Sequence, residues 1–316
     1  MFNILEEIKG ARTIGISGHK RPDGDCVGAC MALYLFLRKA LPEVIVEVYL
    51  DKPAAIFDCI QGIENIKTSI ASVEPMDVFI ALDCSKDRLG EAVELFDRAK
   101  KTINIDHHIS NANGTGMVNY IVTDASSTCE LIFDVIDEEL LDMEIAKAIY
   151  IGIIHDTGVF QYSNTSKKTM EIAGKLISFG FPFSSIIDET FYEKTYVQNQ
   201  VLGRAILESI RFMDGKCIVS VVDKKMMEFY HVGPEDLNGI VNQLRIIKGI
   251  ECAVFMYETG LQEYKVSMRS NNIVNVSEIA TFFGGGGHIR AAGCTMNGTF
   301  HDVINNLSQY IEKQLS

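Results

Sequence analysis

The apolar run 102–105 ends in Asp106, His107 and His108. The run 13–17 leads into Gly18-His19-Lys20-Arg21-Pro22-Asp23-Gly24-Asp25, the run 78–82 ends at Asp83, and the apolar stretch 141–154 ends in His155 and Asp156. One aspartate at the end of an element is ordinarily a helix cap or a turn residue. Carboxylates and imidazoles gathered at the ends of successive elements need another explanation, because like charges repel unless cations neutralise them. Carboxylate oxygens with imidazole nitrogens suit Mn2+, Mg2+ or Fe2+ better than a thiolate-preferring ion. Two ions need roughly six or seven ligands with one carboxylate shared. His19, Asp23, Asp25, Asp83, His107 and Asp156 supply that number.

These residues share a site only if the elements carrying them end on one side. The runs 13–17, 44–50, 78–82, 102–105 and 117–122 read as strands. Helical patterns separate them, first over residues 25–41. Alternation of this kind predicts βαβ units and a mainly parallel sheet with helices on both faces. In such a sheet, ligands bind in the crevice outside the carboxyl ends of the strands. Further helices are expected over 141–154 and from a cap at Thr165 or Ser166 to near Gly180.

The second part of the chain reads differently. Runs 210–213 and 217–222 flank Asp214-Gly215, a hairpin signal. Runs 254–257 and 264–268 flank a Glu-Thr-Gly turn, and helical patterns cover 234–247 and 303–315. A smaller α+β domain with a mixed sheet is expected. The expected division is 1–185, a partly helical linker over 186–204, and 205–316. Phe282-Phe283-Gly284-Gly285-Gly286-Gly287-His288-Ile289-Arg290 exposes backbone N–H groups beside two cationic or donor side chains, which suits a terminal phosphate. It is not a Walker loop, since Gly-Lys-Ser/Thr is absent.

Bulk composition narrows the partners. The net charge is −13, from 29 Lys and Arg against 42 Asp and Glu. Affinity for long nucleic acid comes mainly from basic residues neutralising phosphates, so a long duplex is excluded as the main partner, whereas a short phosphorylated ligand is not. The eight cysteines form no CxxC pair and sit mostly in apolar runs, as expected of free thiols in a reducing compartment. No run approaches the roughly 18 apolar residues of a membrane span, and residues 1–10 do not read as a signal peptide. A soluble, cytoplasmic protein without membrane partners is expected.

In order and spacing, the segments containing His19-Lys20-Arg21-Pro22-Asp23-Gly24-Asp25, Leu82-Asp83-Cys84-Ser85, Asp106-His107-His108 and His155-Asp156-Thr157-Gly158 resemble the four motifs of the DHH phosphoesterases. Val266-Ser267-Met268-Arg269-Ser270 and the glycine-rich segment through Gly293 resemble the signatures of the associated DHHA1 domain. The compact two-domain size resembles the NrnA-type nano-RNases and 3′-phosphoadenosine-5′-phosphate (pAp) phosphatases.

The resemblance implies two Mn2+ ions, with Mg2+ as a substitute. His19, Asp23 and Asp83 would hold one, and Asp25, Asp83, His107 and Asp156 the other, with Asp83 bridging. Asp106 would orient its neighbours, and His108 would face the substrate phosphate or assist proton transfer. Arg269, Gly285, Gly286, Gly287, His288 and Arg290 would bind the far end of a short RNA or small nucleotide. His155 departs from the motif and is expected to be structural, as a helix cap, rather than a phosphate contact. Rival expectations are a cyclic-di-AMP or linear-dinucleotide phosphodiesterase and, from another class, a nucleotide-binding sensor without catalysis. A family II pyrophosphatase is disfavoured by the missing basic C-terminal signature, and a RecJ-like exonuclease by the short acidic chain. Homodimerisation is left open.

Overall fold

In the computed structural model, which describes residues 2–316, the chain divides into two units, one up to Glu193 and one over Lys194–Ser316. The first unit holds α1 (Ile4–Glu7), β1 (Thr13–Ser17), α2 (Gly24–Ala40), β2 (Ile45–Tyr49), β3 (Val78–Leu82), α3 (Val93–Arg98), β4 (Lys101–Asp106) and β5 (Val118–Ile121). It continues with α4 (Thr128–Val135), α5 (Met143–Asp156), α6 (Lys167–Ile177) and α7 (Phe183–Ile187). All five strands are parallel, in the order β2-β1-β3-β4-β5. Parallel pairing requires crossover connections; α2 carries the one from β1 to β2 and α3 the one from β3 to β4.

Side-chain alternation along β3 explains the two helical layers. Val78, Ile80 and Leu82 join the core built with α2, α4 and α5. Phe79 and Ala81 point the other way, onto Leu95 and Phe96 of α3. Every residue of β3 is therefore buried, as expected of a central parallel strand covered on both faces. The helix starts are set by local chemistry. Asp23 accepts from the N–H groups of Asp25 and Cys26 and caps α2. Asp142 caps α5 in the same way, and Ser166 forms a capping box with Thr169 at α6.

α2 and α5 approach closely through glycine. A Cβ on Gly28 would lie 2.6 Å from the Ala148 carbonyl oxygen. One on Gly152 would lie 2.1 Å from Cys129 Sγ and 2.9 Å from Asp25 Oδ1. The Gly152 position thus sets how near α4, α2 and α5 come where Asp25 sits.

The second unit holds α8 (Tyr196–Leu207), β6 (Ile210–Phe212), β7 (Cys217–Val222), α9 (Lys224–Tyr230), α10 (Ile240–Arg245), β8 (Cys252–Gly260) and β9 (Glu263–Ser270). It ends with α11 (Val276–Phe282), β10 (Gly286–His288), β11 (Ala291–Asn297) and α12 (Phe300–Leu315). The sheet order is β10-β11-β9-β8-β7-β6, and only β7 and β8 pair in parallel. This is the expected mixed sheet. The stretch 186–204 contains the end of α7, a π-helical turn over Asp188–Tyr192 and most of α8. The boundary between the units falls inside it.

Gly152→Ala is expected to force Cys129 and Asp25 aside. Overpacking of this kind destabilises by about 1–3 kcal/mol. Urea unfolding of the metal-free protein checks this; a wild-type midpoint contradicts it.

Candidate metal centre

The carboxyl ends of β1, β3 and β4, the N-terminus of α2 and the C-terminus of α5 converge on one cluster. His19 Nε2 lies 3.6 Å from Asp23 Oδ1 and 3.4 Å from Asp83 Oδ2. His107 Nε2 lies 3.6 Å from Asp83 Oδ1, 3.5 Å from Asp156 Oδ2 and 3.9 Å from Asp25 Oδ2. The six residues expected to act as ligands are thus brought together. Asp83 offers one oxygen to each histidine, which is the geometry of a bridging carboxylate.

Each ring is held from behind. His19 Nδ1 lies 2.9 Å from the Lys20 carbonyl oxygen, and His107 Nδ1 lies 3.2 Å from that of Ala125. Asp106 is fully buried, and its Oδ1 accepts from the His107 N–H at 2.7 Å, the His108 N–H at 3.1 Å and His108 Nδ1 at 2.7 Å. His108 Nδ1 also lies 3.6 Å from Asp83 Oδ1. Asp106 and His108 therefore join the cluster as a bonded carboxylate–imidazole pair.

Electrostatics set the character of this site. Asp25 and Asp83 are almost wholly buried, and the ligand atoms of Asp25, His107 and Asp156 all lie within 4.8 Å of one another. Two like charges under 5 Å apart repel by roughly 3–4 kcal/mol at an effective dielectric near 20. Burial, then the charges of Asp83 and Asp156, push the Asp25 carboxyl well above its usual range. Burial, partly offset by His107, pushes Asp156 up to about 7. Burial works against the His107 imidazolium, but Asp156, Asp83 and Asp25 override it and raise its pKa to about 9. At His19 the bonds to Asp23 and Asp83 likewise overcome burial and raise it to about 12. The cluster thus draws in positive charge, as protons or as ions.

The donor set fits divalent cations. His107 Nε2 is buried without a hydrogen-bond partner while facing three carboxylates. A buried ring nitrogen rarely goes unpaired in a folded protein, and metal coordination is the ordinary use of such an atom.

Two contributors were hidden in the sequence. Both oxygens of Asp25 accept backbone N–H groups from the first turn of α4, Oδ2 from Thr128 at 2.7 Å and Oδ1 from Cys129 at 2.9 Å. Thr128 Oγ1 donates to Asp83 Oδ1 at 2.9 Å. Ser127, three residues before Glu130, signals the cap of α4, but no sequence signal links it to aspartates this distant. His155, expected to cap the helix, packs instead, and the C-cap of α5 is Thr157. Its ring meets Phe57 and Phe191 edge-on, with centroids 5.2 and 5.5 Å away, and its Nε2 lies 3.2 Å from Thr190 Oγ1. Burial lowers its pKa to about 4, so it packs as a neutral ring.

The second unit gathers the other expected residues at one end of its sheet. His288 pairs with Ala291, and Ala291 with Arg269. Residues directly opposed across strands share a face, so His288 and Arg269 flank a small alanine in one row. Glycine is required at Gly285, just before β10, and at Gly287 within it. A Cβ would lie 2.1 Å from the Gly293 carbonyl oxygen at Gly285, and 2.5 Å from that of Ala291 at Gly287, where φ is +144°. Arg269 donates through Nε to Asn242 Oδ1 at 3.1 Å. Arg290 turns back into the fold, donating to the Val274 carbonyl oxygen at 3.0 Å and lying 3.4 Å from Ser270 Oγ.

A parallel sheet whose strand ends carry a buried carboxylate–imidazole cluster fits a metal-dependent hydrolase. Residues 13–153 match the DHH family, N-terminal domain, and residues 214–316 match the DHHA1 domain. The chain belongs to the DHH phosphoesterases that carry a DHHA1 domain. It is 29% identical, over 93% of its length and 87% of the relative's, to a bifunctional oligoribonuclease and PAP phosphatase NrnA of Thermus thermophilus. To the protein of the same name from Bacillus subtilis it is 27% identical, over 93% and 92% of the two chains. An exopolyphosphatase-related protein from Bacteroides fragilis superimposes with a TM-score of 0.89 at 25% identity, over 98% of this chain and 94% of that one.

Protons and metal compete for the same atoms, which gives a pH dependence with a definite sign. Asp25 and Asp156 have folded-state pKa values above their unfolded ones. Without metal, the folded state therefore holds extra protons, and its stability falls as pH rises toward 7 and beyond. Bound metal removes that repulsion. The rise in melting temperature on adding Mn2+ is expected to be larger at pH 8 than at pH 6; an equal or smaller rise at pH 8 contradicts this.

Proposed function

We propose that this chain is a two-metal phosphoesterase that hydrolyses short oligoribonucleotides and 3′-phosphoadenosine-5′-phosphate, with Mn2+ as its resident ion. The observation that carries the reading is the unpartnered, buried Nε2 of His107 facing three carboxylates, one of which also reaches His19. The names of the relatives supply the substrate class, and the acidic charge balance agrees with short substrates. The free cysteines accord with a cytoplasmic location.

His19, Asp23 and Asp83 hold one ion in this scheme, and Asp25, Asp83, His107 and Asp156 the other. Two such ions supply positive charge to the phosphoryl oxygens and lower the pKa of the attacking water. The chain's own groups do the rest. Asp83 fixes the spacing of the two sites. Asp106 holds the His108 ring through Nδ1, so a proton transfer to the leaving oxygen runs through Nε2. Arg269, His288, the remaining Arg290 N–H groups and the backbone of Gly285, Gly286 and Gly287 take the terminal phosphate of the substrate.

Turnover with Mn2+ is compared for pAp, an RNA dinucleotide, a five-nucleotide RNA and cyclic-di-AMP. Cleavage of pAp and the short RNAs is expected, with Asp83→Ala folded but almost inactive. Preference for cyclic-di-AMP replaces the substrate assignment, and no turnover with metal bound favours a sensor. Arg269→Ala is expected to raise KM for pAp with little change in kcat, since it removes binding remote from the reacting bond. A fall in kcat at unchanged KM contradicts that role.

A further inference from the structure

Asp83 has a left-handed backbone, with φ at +61°. A non-glycine residue there is strained and persists only where its surroundings enforce it. The enforcing groups can be named. The Asp83 N–H donates to the Ile105 carbonyl oxygen at 3.0 Å. Asn104, wholly buried in β4, reaches across with both hydrogens of its amide, to the carbonyl oxygens of Ala81 and Cys84 at 3.0 Å each. One side chain thus grips the chain on both sides of the strained residue.

The grip extends further. Asn104 Oδ1 accepts from Asn111 Nδ2 at 2.9 Å and from the Thr115 N–H at 3.1 Å. The second hydrogen of Asn111 Nδ2 goes to Asp106 Oδ2 at 2.7 Å. Asp106 in turn holds His107 and His108. The amide hydrogens of Asn104 and Asn111 are all used, those of Asn104 on the Ala81 and Cys84 carbonyls and those of Asn111 on Asn104 and Asp106 to either side. A carboxylate in either place could not donate, and an alkyl group would strand buried carbonyls.

We propose that Asn104 and Asn111 are positioning residues that tie the bridging carboxylate Asp83 to the Asp106–His108 pair as one rigid unit. Neither touches a ligand position. Asn104 sets the direction of Asp83, and Asn111 sets the orientation of Asp106 and, through it, of the His108 ring and the His107 backbone. The proposal rests on the two-metal reading above.

The test uses the full chain with Asn111→Ala, Asn111→Ser and Asn104→Ala. Mn2+ affinity is measured by electron paramagnetic resonance titration, kcat and KM with pAp, and melting of the metal-free protein by circular dichroism. Asn111→Ala is expected to lose about 10–100-fold in Mn2+ affinity and in kcat, the size of effect that hydrogen-bonding groups behind the ligands have on metal sites, here passed on through Asp106, with KM unchanged. Asn111→Ser keeps one donor and is expected to recover part of both. Wild-type Mn2+ affinity in Asn111→Ala overturns the proposal, whether or not the melting temperature drops. So does Asn111→Ser performing no better than alanine. If Asn104→Ala does not fold, the Asn111 pair decides. If wild type turns over no nucleotide, the proposed function fails, while the Mn2+ affinities still decide this inference.

Discussion

Mutual repulsion among buried carboxylates is the constraint on which the rest of this molecule depends. Asp25 and Asp83, almost wholly buried, meet the partly exposed Asp156 around His107. A fold tolerates such an arrangement only if positive charge enters it. Much of the surrounding architecture can be understood as holding these groups where they would not stay unaided. The first turn of α4 directs two N–H groups at Asp25, placing a carboxylate at the positive end of a helix. Gly152 removes a side chain that would occupy the same space. The hydroxyl of Thr128 and the left-handed turn at Asp83 set the direction of the shared carboxylate.

The parallel sheet makes this possible because it brings distant segments to one edge. β1, β3 and β4 are neighbours in space and end together. Their last residues therefore meet although residues 19, 83 and 107 are far apart in sequence. The second unit uses its sheet differently. Antiparallel pairing of β9, β11 and β10 aligns Arg269, Ala291 and His288 in one row, and the glycines let β10 lie close against β11. Each unit thus turns strand register into the placement of a few side chains.

Much of this was legible in the sequence. Short apolar runs alternating with helical patterns announced the parallel sheet, and the abrupt ends of those runs in Asp and His announced the cluster. What could not be read was anything carried by backbone groups or by long-range amide contacts. Thr128 looks like an ordinary residue in a helix cap, and its hold on Asp25 and Asp83 exists only once α4 docks. Asn104 alternates with isoleucines in a strand and gives no sign that its side chain spans the Asp83 turn. His155, a polar residue beside a ligand, invited a chemical or capping role, yet its half-buried ring packs edge-on against Phe57 and Phe191. Arg290, expected to meet phosphate, also donates to the Val274 carbonyl, a contact with no sequence signal. In each case tertiary packing decides the role.

The most direct test of the shared centre is the electron paramagnetic resonance spectrum of the full chain titrated with Mn2+ to saturation. Two ions bridged by Asp83 give a spin-coupled spectrum at two equivalents per chain, and Asp83→Ala removes the coupling. A spectrum of isolated ions at every stoichiometry, or the same coupled spectrum from Asp83→Ala, contradicts a centre bridged by that carboxylate.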